Sequence, residues 1–155
     1  MPLDRHWIEA HIPHTGSMCL LDEVLSWDPG HIECRSATHR AVENPLRAYG
    51  RLGGICGVEY AAQSMAVHGA LVAGCTSVPA VGYLAALRGV VVHVRRLDEL
   101  AGDLVISCER TNGDAATVMY QFCVCSGDLT VLAGRATVIL DATALTRAGR
   151  APLTS

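Results

Sequence analysis

The segment Gly53–Ala73 reads GGICGVEYAAQSMAVHGALVA and carries a single carboxylate, Glu59. An ionised carboxylate enclosed by such small apolar residues costs several kcal/mol unless it is paired or hydrogen-bonded. Gly53-Gly54 opens the segment. In a helix this sets Glu59 one to two turns inside, near N–H groups that carry positive partial charge. Gln63 lies four residues on and shares its face. Two readings of Glu59 stand side by side: an acid–base group in a site, or a side chain that meets solvent or a subunit interface. Gly54 has two readings as well. Its N–H can polarise a ligand carbonyl and stabilise an enolate-like transition state, or glycine is needed there only for close packing.

The other candidates are histidines. His39 ends a strand-like stretch just before the loop leading to Gly53, and is the histidine best placed by sequence to approach Glu59. His68 falls more than two turns further along the helix and reads as structural. His11 and His14 are close, but no third or fourth ligand follows at a metal-site spacing, so no metal is expected. No GxSxG elbow, GxGxxG turn or phosphate loop occurs, and no cofactor is expected.

Composition narrows the chemistry. The chain has no lysine; its basic residues are all arginine. Schiff-base and phosphate-loop chemistry are excluded, and any phosphate contact must use arginine or backbone N–H groups. The net charge is −3, and Arg95-Arg96 is the densest basic cluster, so nucleic acid is not an expected partner. Seven cysteines without a CxxC pair, behind a polar opening, read as reduced, mostly buried thiols in a cytoplasmic protein. No apolar run is long enough for a membrane span.

The elements that must position these residues follow from periodicity. Residues 1–16 read as a lead-in broken at Pro13. Strands are expected over 18–27 and 31–38, joined by the turn Asp28-Pro29-Gly30. Residues 39–52 read as a loop. A helix over 53–73 has Ile55, Val58, Ala62, Met65, Ala66 and Gly69 on one face and small residues on the other. Four strands are expected over 81–94, 103–111, 115–126 and 129–140. In the third of these Val118, Tyr120, Phe122 and Val124 share one face. The order fits an α+β hotdog fold, an antiparallel sheet wrapped around one long central helix, in a single domain over 1–141 with a tail over 142–155. Exposed sheet edges lead us to expect a dimer that continues the sheet.

Several stretches carry a resemblance. Ile12-Pro13-His14 with Met18-Cys19-Leu20-Leu21-Asp22-Glu23-Val24 resembles the opening of the hotdog 3-hydroxyacyl-[acyl-carrier-protein] dehydratases. Gly57-Val58-Glu59-Tyr60-Ala61-Ala62-Gln63 resembles their central helix, Tyr83–Arg88 the strand after it, and Leu100-Ala101-Gly102-Asp103-Leu104 a turn further on. Asn44-Pro45-Leu46 and Ala66-Val67-His68-Gly69 are most similar to the dehydratase-like proteins of aryl-polyene pigment clusters.

The resemblance implies an acyl-thioester site and a partner, acyl carrier protein bearing an acyl-phosphopantetheine. It makes Glu59 the catalytic carboxylate, Gly54 the N–H donor to the thioester carbonyl, and Asn44 and Gln63 residues that line the site. The family's base is a histidine fourteen residues before the carboxylate, contributed at the dimer interface. Here that position is Pro45, beside Asn44, and neither is a base. His39 serves only if the loop is rebuilt. The expected activity is dehydration of 3-hydroxyacyl thioesters in fatty-acid or aryl-polyene biosynthesis. The alternatives are a non-catalytic hotdog subunit paired with an active dehydratase, and an acyl thioesterase. The assembly is then a homodimer or a hetero-oligomer with a second hotdog dehydratase.

Overall fold

A computed structural model describes residues 3–74, 83–114 and 116–139. The expected tail and the loop that follows Gly74 lie outside the described residues. Two early elements precede the first long strand: β1 (Leu3–Asp4) and α1 (Arg5–His11). The helix is an addition to the expected lead-in. Asp4 caps it by accepting from Trp7 N–H at 3.0 Å, Ile8 is buried, and the chain leaves it one residue before Pro13.

Strands β2 (Glu23–Asp28) and β3 (His31–Ser36) form the expected hairpin. The Asp28 carboxylate accepts from Gly30 N–H at 2.8 Å and closes its two-residue turn. The strand expected from residue 18 begins only at Glu23, because the backbone at Met18 and Leu20 bonds to a side chain instead, as described below. The remaining strands are β4 (Tyr83–Val92), β5 (Leu104–Gly113), β6 (Thr117–Ser126) and β7 (Leu129–Ile139). With the helix α2 (Gly57–Val72) they complete a seven-stranded antiparallel sheet in the order β1-β2-β3-β5-β6-β7-β4. On β6, Val118, Tyr120, Phe122 and Val124 are all buried, as their alternation predicts.

The helix α2 packs on β3, β5, β6 and β7. Gly57, Ala61, Ser64, His68 and Leu71 are buried, with Tyr60 and Val67 beside them. Small residues meet the sheet because the approach is close: a Cβ at Gly57 would lie 2.5 Å from Leu132 Cδ2. Of the face that carries Ile55, Val58, Ala62, Met65, Ala66 and Gly69, only Val58 and Met65 are buried. Ile55 is exposed, and Ala62, Ala66 and Gly69 are half-covered. This leaves an open stripe along α2, with Glu59 at its head. At one sheet edge β4 exposes Leu84, Leu87 and Val91.

Candidate active site

The helix that carries Glu59 is anchored at its start by a short antiparallel ladder. Leu97 N–H donates to Leu52 O at 2.7 Å, Gly53 bridges Arg96, and Gly54 N–H donates to Arg95 O at 2.9 Å. Asp98 locks the ladder by accepting from Leu52 N–H at 2.9 Å and from the Arg96 guanidinium. A Cβ at Gly54 would lie 2.0 Å from Val94 O, so glycine is required there for backbone contact. The N–H that the resemblance aims at a thioester carbonyl is therefore already engaged by Arg95.

A single 3-10 turn, Gly54–Cys56, follows, and α2 proper begins at Gly57 rather than at Gly53. Glu59 thus stands in the first turn of α2. It is exposed, so the burial cost anticipated for it does not arise within one chain.

The neighbouring Tyr60 is turned inward and fully buried. Its hydroxyl lies 2.9 Å from Thr38 Oγ1 and accepts from Asn44 Nδ2 at 3.0 Å. Asn44 also donates to Thr38 O at 3.0 Å and accepts from Leu46 N–H at 2.9 Å. Thr38 Oγ1 in turn donates to Leu20 O at 2.7 Å, which the Ser36 hydroxyl also reaches. Asn44 is thereby committed to holding the loop before α2 against Tyr60. Burial pushes the Tyr60 phenol above its usual range, so it stays protonated in this network.

Gln63, expected to line the site, is buried and clamps the lead-in. Its Oε1 accepts from Leu20 N–H at 2.8 Å and its Nε2 donates to Met18 O at 2.7 Å. These two bonds take the place of strand pairing at 18–20. His39 is fully buried in a short turn, Thr38–Arg40. Its Nε2 donates to Leu100 O at 3.0 Å, which fixes the neutral tautomer with the lone pair on Nδ1. That Nδ1 is enclosed and has no partner among the described residues. Burial lowers the His39 pKa, so the ring is neutral at pH 7. Its ring is hydrogen-bonded to Leu100 rather than to Glu59.

The remaining histidines sort themselves by contact. His68 is buried in the core, with Nε2 donating to Asp28 O at 2.8 Å and Nδ1 2.7 Å from Tyr120 Oη. His11 stacks on Trp7 with ring centroids 4.0 Å apart. His31 faces Ser107 Oγ at 3.3 Å. Cys19, Cys34 and Cys108 are buried thiols; Cys123 and Cys125 are free thiols whose sulfurs share a hydrogen bond at 3.4 Å. Sequence reasoning missed one cluster altogether. The ladder at the start of α2 carries Arg51 to the side of Arg95 and Arg96, where with Gly53 and Glu99 they line a cleft of about 410 Å³. Residues 44 positions apart in sequence gave no sign of meeting; only the pair Arg95-Arg96 was visible.

A sheet folded over one long helix, with a carboxylate in that helix's first turn, defines a hotdog protein. Residues 6–146 match the ApeP-like family, described as ApeP dehydratase, and the chain belongs to that family. Among solved structures it is similar to the dehydratase heterocomplex ApeI:P from Xenorhabdus doucetiae, at 20% identity over 93% of this chain and 97% of that one, with a TM-score of 0.79. A hypothetical thioesterase from Streptococcus pneumoniae TIGR4, solved with coenzyme A, aligns at 15% identity over 77% of this chain and 84% of that one, with a TM-score of 0.57. A mutant of the thioesterase PA1618 from Pseudomonas aeruginosa aligns at 14% identity over 76% of this chain and 78% of that one, with a TM-score of 0.53. At these identities the structures speak for the fold. No match was found among curated proteins. Among the described residues no helix is long and apolar enough to cross a membrane.

Proposed function

We propose that this chain is a dehydratase subunit for 3-hydroxyacyl thioesters on acyl carrier protein, and that it works against a second hotdog chain. The partner covers the open stripe of α2 and supplies the base. That base removes the α-proton, the electron pair forms the α,β double bond, and the C–O bond breaks. Glu59, as general acid, protonates the leaving hydroxyl, so the products are an enoyl thioester and water. The observation that carries this reading is Glu59 itself. It is the one charged side chain of α2, it is exposed, and it heads the half-covered stripe Ala62, Ala66 and Gly69. His39 meanwhile is buried and occupied by Leu100.

The edge strand β4 offers the partner an exposed apolar row, and a long edge of this kind is a template for pairing. The ApeI:P structure is a heterocomplex, which is in keeping with a second chain here. A second reading, a silent subunit that only shapes its partner's tunnel, is favoured by the engagement of Gly54 N–H with Arg95.

The test is co-expression with a hotdog dehydratase from the same gene neighbourhood. The purified assembly is given a 3-hydroxyacyl-carrier thioester and enoyl absorbance is followed. Turnover that falls in Glu59→Gln supports the proposal; unchanged turnover assigns the silent role. Turnover by this chain unaided refutes the need for a partner. Release of free thiol without enoyl absorbance makes it a thioesterase.

A further inference from the structure

We propose that the cleft between Arg51 and Arg95 binds the phosphate of the pantetheine-linked substrate; this rests on the reading of the chain as an acyl-thioester protein. The cleft is built by the backbone. Ala48 and Arg51 exchange hydrogen bonds of 2.9 and 3.0 Å around Tyr49-Gly50, whose φ values of 53° and 73° make a two-residue primed turn. That turn delivers Arg51, and the ladder from Leu52 to Gly54 aligns it with Arg95 and Arg96.

The three arginines are not equivalent. Arg96 is held by Asp98 through two hydrogen bonds and by Glu99 at 3.5 Å, so its charge is largely engaged by its neighbours. Arg51 and Arg95 are exposed and form no ion pair among the described residues. Two such guanidiniums facing a cleft of about 410 Å³ suit a compact tetrahedral anion. A nucleic-acid strand is too large for it, and the net charge of −3 opposes one.

Position argues for a phosphate belonging to the substrate. Gly53 lines the cleft and leads into the 3-10 turn and the first turn of α2, where Glu59 stands. The helical rise puts Glu59 about 10 Å further on, a span an extended pantetheine arm covers. In a chain without lysine, arginine is the side chain left for this task.

The intact chain, alone and with its partner, is titrated with 4′-phosphopantetheine, pantetheine, coenzyme A and holo-carrier protein at low salt. Phosphopantetheine is expected to bind at least tenfold more tightly than pantetheine. Arg51→Gln and Arg95→Gln each remove about tenfold of that advantage. Arg135→Gln, on the outer sheet face, leaves it unchanged. Raised salt narrows the gap. A preference for holo-carrier or for coenzyme A identifies the source of the phosphate, and either supports the cleft. Equal affinity for phosphopantetheine and pantetheine, or an equal loss in Arg135→Gln, overturns it. The two proposals fail separately. Glu59-dependent turnover with unchanged KM in Arg51→Gln and Arg95→Gln refutes the cleft alone. Arginine-dependent phosphate binding without Glu59-dependent turnover refutes the reaction alone.

Discussion

Gly54 donates its backbone N–H to Arg95 O at 2.9 Å, and the same residue stands where a Cβ would fall 2.0 Å from Val94 O. Both facts describe one contact, backbone against backbone, which no side-chain movement relieves, and Val92 Cγ1 crowds the same point at 2.9 Å. Gly54→Ala is expected to cost about 3 kcal/mol or more, which at this chain length lowers Tm by roughly 10 °C. Gly57→Ala meets side chains rather than backbone, Leu132 Cδ2 at 2.5 Å and Cγ at 3.3 Å, and should cost less. Thermal unfolding followed by circular dichroism ranks the two, and hydrogen exchange should find the Gly54 amide protected. A fast-exchanging Gly54 amide would restore it as a donor to substrate.

Glu59 is exposed at a helix start, so its replacement separates chemistry from stability. Glu59→Gln should change stability by no more than about 0.5 kcal/mol. In the assembled enzyme it should lower kcat by about 10²- to 10⁴-fold, the usual worth of a positioned acid or base. Denaturant titration and enoyl formation on the same preparation check both numbers.

Much of this was legible in the sequence, and the exceptions have physical causes. The alternation Val118-Tyr120-Phe122-Val124 located the inner face of β6, because burial on one side of a strand imposes a period of two. Both faces of α2 are rich in small residues, so periodicity alone did not say which would meet the sheet. Close sheet contact selects smallness, and Gly57, Ala61 and Ser64 make it. The capped helix α1 was hidden by its brevity, although Asp4 three residues before Trp7 was its signal. Asn44 and Gln63 were grouped with the site through the resemblance of their segments and their nearness to Glu59 in sequence. Their amides are committed to Tyr60 and to the Met18–Leu20 backbone, partners that only tertiary structure brings together.

The clamp formed by Gln63 can be tested by changing one atom. Gln63→Glu keeps the acceptor for Leu20 N–H but sets a carboxylate oxygen against Met18 O, where a donor stood at 2.7 Å. The loss is expected to be about 2 to 3 kcal/mol near neutral pH, and partly recovered in acid as the carboxyl gains a proton. The difference in urea midpoint between the parent chain and the variant, taken at pH 7 and at pH 5, measures it; a difference that is the same at both would show that the clamp is not held as described.

Tyr49 holds a left-handed backbone, φ 53°, and its side chain is fully exposed on the turn before Arg51. A bulky residue kept in that conformation costs about 1 kcal/mol relative to glycine, a cost the folded single chain does not recover through contact. Tyr49→Gly should therefore raise Tm by a few degrees. If the turn meets the partner subunit, the same variant weakens assembly at least tenfold in analytical ultracentrifugation. Stabilisation with unaltered assembly would place the partner elsewhere.

Two buried imidazoles give the fold a defined acid limit. His68 donates from Nε2 to Asp28 O, leaving Nδ1 to accept from the Tyr120 hydroxyl, and His39 donates from Nε2 to Leu100 O. Burial lowers both pKa values from 6.5, so below that pH the unfolded chain binds more protons than the folded one. Their contribution is complete above pH 6.5 and is lost as pH falls through the folded-state values. A second loss belongs below about pH 4, where Asp98 and Asp103, held down from 3.8 by Arg96 and by Arg40 with Arg35, must take up protons. Tm should thus be level between pH 7 and 8, decline from pH 6.5 to 5, and drop again under pH 4. In His68→Gln the amide can donate to Asp28 O and accept from Tyr120 without titrating. That variant should shrink the first decline while leaving the second in place, and an unchanged slope between pH 6.5 and 5 would remove His68 from the acid response.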